Sequence, residues 1–336
     1  MPIIQAQDLT KVYRVPQKDP GVSGALKALF KPHHIQKTAV ANVSFSIERG
    51  EMVGYIGVNG AGKSTTIKML TGILAPTGGT VQVLGRDPHK ERVANARKIG
   101  VVFGQRSQLW WDLAFIESLN MIARIYEVPP ARYQELLAKF AETLELQELL
   151  KVPIRNMSLG QKMRAELAAT LIHEPEIVYL DEPTIGLDLI VKERIREFIK
   201  QQNREKQTTV ILTTHDIGDI EELCHRVLII DAGQLIYDGP LQTIKDRFGQ
   251  YREITFETAV SARQIRLDDG TELVRQEERK LVLRFDRTKR SASQVAAGIM
   301  NQIEVLDFSL AEPDLSMIVK QIYRGALAQQ AEHTIK

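Results

Sequence analysis

Cysteine is almost absent from this 336-residue chain, which contains only Cys224. An intrachain disulfide is therefore impossible and a thiolate zinc site would lack ligands, so a reducing compartment fits best. Long apolar runs are also missing, since stretches such as residues 177–180 and 227–230 are far shorter than the roughly 20 residues that span a bilayer. The first residues show no secretory signal. If the protein acts at a membrane, we expect another chain to cross it.

An excess of either charge is lacking as well. The chain has 44 Lys and Arg against 42 Asp and Glu, a formal net charge of +2. This balance argues against a dedicated nucleic-acid binder, so no nucleic-acid partner is expected. Hydrophobic residues at 43% and charged residues at 26% are near globular averages. The length favours one large and one small domain.

What is present is an alternation of short apolar strands with helices, which favours a mainly parallel sheet. Strands of this kind are predicted over residues 52–56, 100–103, 177–180, 210–213 and 227–230. Residues 43–47 alternate apolar and polar side chains before a turn at Gly50, which predicts an antiparallel hairpin. From residue 105 to 172 the period is helical, with one apolar face formed by Leu136, Leu137, Phe140 and Leu144.

The pattern changes after Gly239 and Pro240, a pair that breaks regular structure. Strands are predicted near residues 254–256 and 281–283, and helices near residues 292–302 and 315–323. These elements predict a small separate α+β domain.

A glycine-rich loop follows the predicted strand at residues 52–56 and opens a predicted helix. It matches the pattern G-x-x-x-x-G-K-[ST] with Gly57-Val58-Asn59-Gly60-Ala61-Gly62-Lys63-Ser64. Glycines let successive N–H groups face a phosphate, and the helix N-terminus adds about half a positive charge. Lys63 is expected to meet the β- and γ-phosphates and the Ser64 hydroxyl to bind Mg²⁺. An ordinary glycine-rich turn is the alternative, but the strand and helix on either side favour a nucleoside triphosphate.

Two acidic residues, Asp181 and Glu182, end the apolar strand predicted over residues 177–180. The carboxyl ends of parallel strands form the ligand-binding edge of such a sheet. Asp181 is expected to hold the Mg²⁺ shell, and Glu182 could polarise the attacking water if it is oriented as a base. His215 ends the next predicted strand and could reach the same edge. Two solvated acids beginning a loop and a packed histidine are the alternative interpretations.

The turn Met157-Ser158-Leu159-Gly160-Gln161 lies upstream of Asp181 and completes an ordered set of motifs. Ser158 and Gln161 have the spacing of a capping box, which predicts a helix that starts at Ser158 and continues through Leu171. The whole set resembles the signature of ABC ATPases over about residues 1–240. The resemblance implies an α/β fold of the P-loop NTPase class, with a mainly parallel sheet core, an antiparallel β subdomain and a helical subdomain. We accordingly expect an ABC ATPase domain at residues 1–239, with an insertion at about 15–38 and a helical subdomain at about 106–172, and a small C-terminal accessory domain at 240–336.

The resemblance also implies roles for single residues. Gln105 is then the Q-loop glutamine, His215 the switch histidine and Tyr13 the aromatic that stacks on adenine, and Asp188 belongs to the D-loop. The implied catalytic residues are Glu182, His215 and Gln105. The implied ATP contacts are Tyr13, Gly57, Asn59, Gly60, Ala61, Gly62, Lys63, Ser64, Thr65, Ser158, Gly160, Gln161 and Asp188. The implied Mg²⁺ contacts are Ser64, Gln105 and Asp181.

In this family the Ser158 turn completes the ATP pocket of the opposite subunit. The resemblance therefore implies a homodimer or heterodimer of ATPase subunits with ATP between them. The usual signature has glycine where this chain has Leu159, and a side chain there could restrict backbone approach to the γ-phosphate.

Residues 71–79 and 81–88 and the C-terminal domain resemble the multidrug and sodium exporter branch of these ATPases. Such chains lie at the cytoplasmic face of the membrane and energise a separate polytopic permease, often exporting drugs, lipids or polysaccharides. Trp110 and Trp111 follow Gln105, where the family receives the permease, so both permease docking and core packing are open for them. Residues 21–30 could form an amphipathic helix or a flexible surface insertion.

The leading hypothesis is therefore the ATPase subunit of an ABC transporter. The alternative is a soluble ABC ATPase without transport, such as an assembly, repair or translation factor. A nonhydrolytic scaffold is disfavoured because Lys63, Asp181, Glu182 and His215 are all present.

Overall fold

The computed structural model describes residues 2–16, 34–103, 107–214, 216–248, 251–259 and 265–311. Gln105, His215, residues 17–33 and the helix predicted over residues 315–323 lie outside the described residues. The chain divides into two compact units, Met1–Gly239 and Pro240–Lys336.

A six-stranded sheet forms the centre of the first unit. Its strand order is β5-β6-β7-β3-β8-β9, and the neighbours from β5 to β8 pair in parallel. The strands are β3 (Met52–Gly57), β5 (Ile99–Phe103), β6 (Ile177–Asp181), β7 (Thr209–Thr213), β8 (Arg226–Asp231) and β9 (Gln234–Pro240). The strands predicted from apolar runs are confirmed. The prediction succeeds because strands covered on both faces need continuous apolar side chains. β9 was not predicted. It follows β8 through Ala232 and Gly233, both with positive φ, as a tight hairpin turn requires.

A three-stranded antiparallel sheet with the order β2-β1-β4 lies in the same unit. Its strands are β1 (Ile4–Pro16), β2 (His34–Ile47) and β4 (Gly78–Val83). The alternation predicted at residues 43–47 is confirmed, since Val43, Phe45 and Ile47 are buried. The predicted hairpin across Gly50 is wrong: β2 pairs with β1, and Phe45 lies opposite Ala6, while β3 belongs to the other sheet. Alternation reports which face is buried but not which strand is the partner.

The first unit also contains helices. They are α1 (Lys63–Leu70), α2 (Arg92–Ala96), α3 (Phe115–Ile125), α4 (Pro130–Thr143), α5 (Leu159–Leu171), α6 (Leu189–Lys206) and α7 (Ile217–Leu223), with short 3₁₀ turns at Gln147–Leu149 and Ile154–Asn156. The apolar face predicted for α4 is buried at Leu136 and Phe140, and the Phe140 ring meets Phe198 of α6 edge-on at 5.3 Å. Full burial of such a side chain stabilises a fold by about 1.5–3 kcal/mol.

The second unit contains a four-stranded antiparallel sheet with the order β11-β12-β10-β13. Its elements are α8 (Leu241–Phe248), β10 (Tyr251–Thr258), β11 (Thr271–Glu277), β12 (Lys280–Asp286), α9 (Ala292–Met300) and β13 (Val305–Ala311). Ser291 caps α9, because its Oγ accepts the Gln294 N–H at 3.3 Å. The helix packs Val295 and Ile299 against the sheet, in a core with Ile254, Phe256 and Phe285.

Among the helices of the described residues, none combines the length and the apolar character that crossing a bilayer requires.

Candidate functional site

The glycine-rich loop connects β3 to α1, as predicted. Gly62 has φ +113°, and a Cβ there would lie 2.5 Å from the Ala39 carbonyl oxygen. A Cβ on Gly57 would lie 2.8 Å from the Ile230 carbonyl oxygen. Backbone from two neighbouring segments therefore encloses the loop so closely that only glycine fits at both positions.

Lys63 is buried at the start of α1, with 8% of its surface exposed. Its ammonium donates hydrogen bonds to the carbonyl oxygens of Gly57, at 2.5 Å, and Val58, at 3.3 Å. Burial lowers the pKa of Lys63, while the charges of Glu182 and Asp181 act in the opposite direction. These carboxylates therefore lie near enough to favour the lysine cation, which the loop keeps at its centre.

The first turn of α1 presents free backbone donors. Thr66 donates to the Gly62 carbonyl at 2.9 Å, so the N–H groups of Lys63, Ser64 and Thr65 precede the first helical hydrogen bond. Together with the helix dipole, these donors suit an anion. The hydroxyl-bearing Ser64 is exposed on the same turn.

The acidic edge is formed by the ends of β6 and β7, which are neighbours in the sheet. Asp181 lies opposite Thr213, whose hydroxyl donates a hydrogen bond to Asp181 Oδ1. Glu182 has φ +56°, an uncommon conformation for a residue other than glycine, and its N–H donates to the Thr213 carbonyl at 2.9 Å. β7 also pairs with β3, so this edge adjoins the glycine-rich loop. The charges of both carboxylates raise the pKa of Lys63 against the effect of burial, so the acids lie near the loop.

A magnesium ion would find suitable ligand chemistry here. Ser64 and Asp181 supply hydroxyl and carboxylate oxygens, the donors that Mg²⁺ prefers. Among the described residues no group of three or more His, Cys, Asp or Glu side chains could hold a metal ion.

The Ser158 turn forms the predicted capping box. Ser158 Oγ accepts the Gln161 N–H at 3.3 Å, and Gln161 Oε1 accepts the Ser158 N–H at 2.8 Å. Leu159 is 52% exposed, and its Cδ2 lies 3.1 Å from the place of a Cβ on Gly186. Asp188 caps α6, since its Oδ1 accepts the Val191 N–H at 3.0 Å. The departure from the usual signature therefore lies on the surface, against the segment that precedes α6.

Of the remaining predicted site residues, the structure describes only Tyr13. Tyr13 is on β1, 36% exposed, with Lys11 Nζ 5.6 Å from the centre of its ring. Gln105 and His215 lie outside the described residues.

Sequence reasoning missed Thr213 and Asp219, which position the acidic edge. Asp219 is fully buried and accepts hydrogen bonds from Thr184, from Arg196 Nε at 2.7 Å and from Thr214 Oγ1 at 3.4 Å. It thereby fixes the segment after Glu182 to the end of β7. The only signal for Thr213 was a polar residue ending an apolar strand, and Asp219 lies within α7, so neither position reveals its partner.

Comparison with known proteins agrees with this geometry. Residues 40–185 match the family model described as ABC transporter. The chain is 34% identical over 206 residues to the ABC transporter ATP-binding protein NatA of Bacillus subtilis (strain 168), covering 61% of this chain and 83% of that protein. It is 36% identical over 214 residues to the Nod factor export ATP-binding protein I of Paraburkholderia xenovorans (strain LB400), covering 62% of this chain and 68% of that protein.

A solved structure is also similar. It is a dimeric ATP-binding cassette in a post-hydrolysis state bound to ADP and Pi, with a TM-score of 0.59 and 25% identity, covering 71% of this chain and 98% of that one. The glycine-rich loop, the acidic edge and these similarities agree on one family. The chain belongs to the ABC transporter family, as an ATP-binding subunit that hydrolyses ATP.

Proposed function

We propose that this ATPase drives a separate polytopic permease from the cytoplasmic face of the membrane and exports a drug, lipid or polysaccharide-like substrate. The observation that carries the coupling to a permease is the exposure of Trp110 and Trp111 between β5 and α3. Trp110 is 37% exposed and Trp111 is 58% exposed. Export is supported by the similarity to a protein named for Nod factor export.

In this proposal the glycine-rich loop holds the ATP phosphates. The ATP contacts in the same chain are the loop residues Gly57, Asn59, Gly60, Ala61, Gly62, Lys63, Ser64 and Thr65, together with Tyr13 on the adenine. The N–H groups that begin α1 donate to phosphate oxygens, and Lys63 exchanges its carbonyl partners for the β- and γ-phosphates. That exchange costs little free energy, because the Lys63 side chain is already buried away from water in the loop.

In this proposal, ATP hydrolysis takes place at the acidic edge. Ser64 and Asp181 would hold Mg²⁺ with Gln105, and the ion when bound neutralises charge on the phosphates. Thr213 orients the Asp181 carboxylate through its hydrogen bond. Glu182 accepts a proton from the attacking water, and its constrained backbone fixes the direction of its side chain. His215 is proposed to assist hydrolysis, as the resemblance to the family implies.

Closure of two chains completes each site. Ser158, Gly160 and Gln161 begin α5, whose free amides face the γ-phosphate held by the opposite subunit, and Asp188 lies beside them across the interface. The similarity to a dimeric cassette with ADP and Pi supports this arrangement. One set of motifs in each chain makes the dimer necessary for turnover.

The experiment that tests the permease proposal replaces Trp110 and Trp111 together by Ala in the full chain. We expect ATPase activity in solution to stay within about twofold of wild type, because both side chains lie outside the phosphate site. The fraction of tagged protein that co-purifies with membranes should fall at least about fivefold, since two aromatic anchors are lost.

Val93→Ala is the matched control, because Val93 on α2 is 73% exposed and apolar but distant in sequence from the tryptophans. Undiminished membrane recovery of the Trp110→Ala/Trp111→Ala variant would contradict this docking surface. Recovery of the wild type only with soluble partners would favour the soluble ABC ATPase instead.

A further inference from the structure

A polar stripe on α5 holds the chain that follows residue 106. The stripe consists of Lys162, Glu166 and Thr170, which are spaced four apart and therefore share one face of the helix. The chain that it holds is residues 107–111, called here the tryptophan segment.

Glu166 makes the central contacts. Its Oε2 accepts the Ser107 hydroxyl at 2.7 Å, and its Oε1 accepts the Gln108 N–H at 2.9 Å. Only 6% of the residue is exposed. A buried carboxylate is costly unless it is hydrogen-bonded, so these two donors determine where the carboxylate can lie.

The two ends of the stripe make further contacts with the same segment. Gln108 Nε2 donates to Thr170 Oγ1 at 2.6 Å. Lys162 Nζ lies 4.4 Å from the centre of the Trp111 ring, a cation–π contact. Three successive positions of one helix face thus hold one short segment at its first two residues and at its last.

The stripe connects two functional surfaces. Its helix begins at Ser158, which the capping box fixes to the first turn of α5. The segment carries the exposed Trp110 and Trp111. Because a hydrogen-bonded helix is stiff along its axis, a displacement of residues 107–108 that reaches α5 through Glu166 would displace Ser158 as well.

We propose that Glu166 is a positioning residue for ATP hydrolysis, which makes the tryptophan segment and the Ser158 turn move as one body. The proposal rests on the proposed function only in taking the tryptophans as the surface that meets the permease. The hydrogen bonds and the shared helix face are properties of this chain alone.

The chain provides its own probe, because Trp110 and Trp111 are its only tryptophans. The experiment uses the full purified chain and measures acrylamide quenching of tryptophan fluorescence with and without Mg²⁺ and the nonhydrolysable analogue AMP-PNP. Affinity for AMP-PNP is measured by calorimetry, and kcat and KM for ATP are measured in steady state.

In the wild type, AMP-PNP should change the quenching constant at concentrations that match its binding. Glu166→Ala should keep AMP-PNP affinity within about twofold, lose most of the quenching response and lower kcat about tenfold with little change in KM, because the Ser107 hydroxyl and the Gln108 N–H lose their acceptor. Glu166→Gln should recover most of both losses, since its amide can still accept from Gln108 and bond Ser107. Ser107→Ala, at an exposed position, should give an intermediate response.

Glu174→Gln is the matched control. Glu174 follows α5 and pairs with Arg132 at 2.5 Å, so the variant loses a polar anchor without touching the tryptophan segment. It should keep the wild-type response. If Glu166→Ala does not fold, the intermediate response of Ser107→Ala decides.

A wild type without a nucleotide-dependent response, or Glu166→Ala and Ser107→Ala variants with wild-type quenching and kcat, overturns the proposal. Membrane recovery is not part of this test, so failure of the permease proposal is recognised separately.

Discussion

Burial lowers the pKa of both Lys63 and His173, but the two side chains have different neighbours. Near Lys63 the charges of Glu182 and Asp181 act against the effect of burial and favour the cation that binds phosphates. His173 lies between α5 and β6 with its Nε2 3.0 Å from the Ile99 carbonyl, which requires a proton on that nitrogen. Its ring stacks on Tyr126 at 3.9 Å, and its buried Nδ1 has no hydrogen-bond partner among the residues that the structure describes. Burial lowers the pKa of His173 to about 4, so the folded protein keeps this histidine neutral.

We predict that His173 makes the stability of the first unit depend on pH. The unfolded chain binds a proton near pH 6.5 that the folded chain accepts only near pH 4, so the stabilisation is complete above about pH 6.5 and is lost as the pH falls toward 4. The slope is at most about 1.4 kcal/mol per pH unit. His173→Gln keeps a donor for Ile99 but does not titrate, so its loss of stability between pH 7 and 5 should be smaller.

Urea unfolding followed by tryptophan fluorescence measures this effect, because both tryptophans belong to the first unit. His89→Gln, at an exposed position, is the control and should behave as wild type. An equal decrease in the urea midpoint for wild type and His173→Gln would show that His173 is not the group responsible.

At the scale of elements, the sequence was most informative where a single physical requirement decides which residue types can form a helix or strand. Parallel strands buried on both faces need apolar runs, so β3, β5, β6, β7 and β8 were predicted with their approximate ends. The capping box and the strand–loop–helix motif depend on local spacing and were also predicted correctly. β11 was missed because it is mostly polar and exposed.

Contacts between distant segments could not be predicted in the same way. The hairpin across Gly50 was wrong because the partner of β2 comes from β1 rather than from the next strand. The hydrogen bond from Thr213 to Asp181 joins segments that are far apart in the chain, and so do the hydrogen bonds from residues 107–108 to Glu166. The exposure of Trp110 and Trp111 argues against the core-packing interpretation, which composition alone left open. Such features depend on tertiary structure, which local patterns do not encode.

At the scale of the whole molecule, the two compact units each have a hydrophobic core of their own. The candidate phosphate loop and acidic edge belong to Met1–Gly239. The second unit is proposed to regulate the ATPase or to support its dimer, because its sheet and helix contribute no predicted site residue.

We predict that a fragment ending at Pro240 folds and binds ATP with nearly the affinity of the full chain, within about twofold, because the predicted ATP contacts precede its end. Its self-association without ATP should be weaker. Calorimetry with ATP and sedimentation of both proteins at equal concentration provide the comparison. An insoluble fragment, or one that does not bind ATP, would place residues after 240 in the core of the ATPase.

The most direct measurement of the central claim, that two copies close on ATP, is size-exclusion chromatography of Glu182→Gln with ATP and Mg²⁺. The substitution keeps the size and backbone of Glu182 but removes the carboxylate that activates water, so ATP should bind without being hydrolysed. Retained ATP then stabilises the dimer by mass action, and we predict elution as a dimer with ATP and as a monomer with ADP. Lys63→Ala/Glu182→Gln should stay monomeric because it lacks the phosphate cation. A Glu182→Gln chain that remains monomeric while saturated with ATP would contradict the account, either in the sandwich itself or in the ability of the Leu159 turn to complete it.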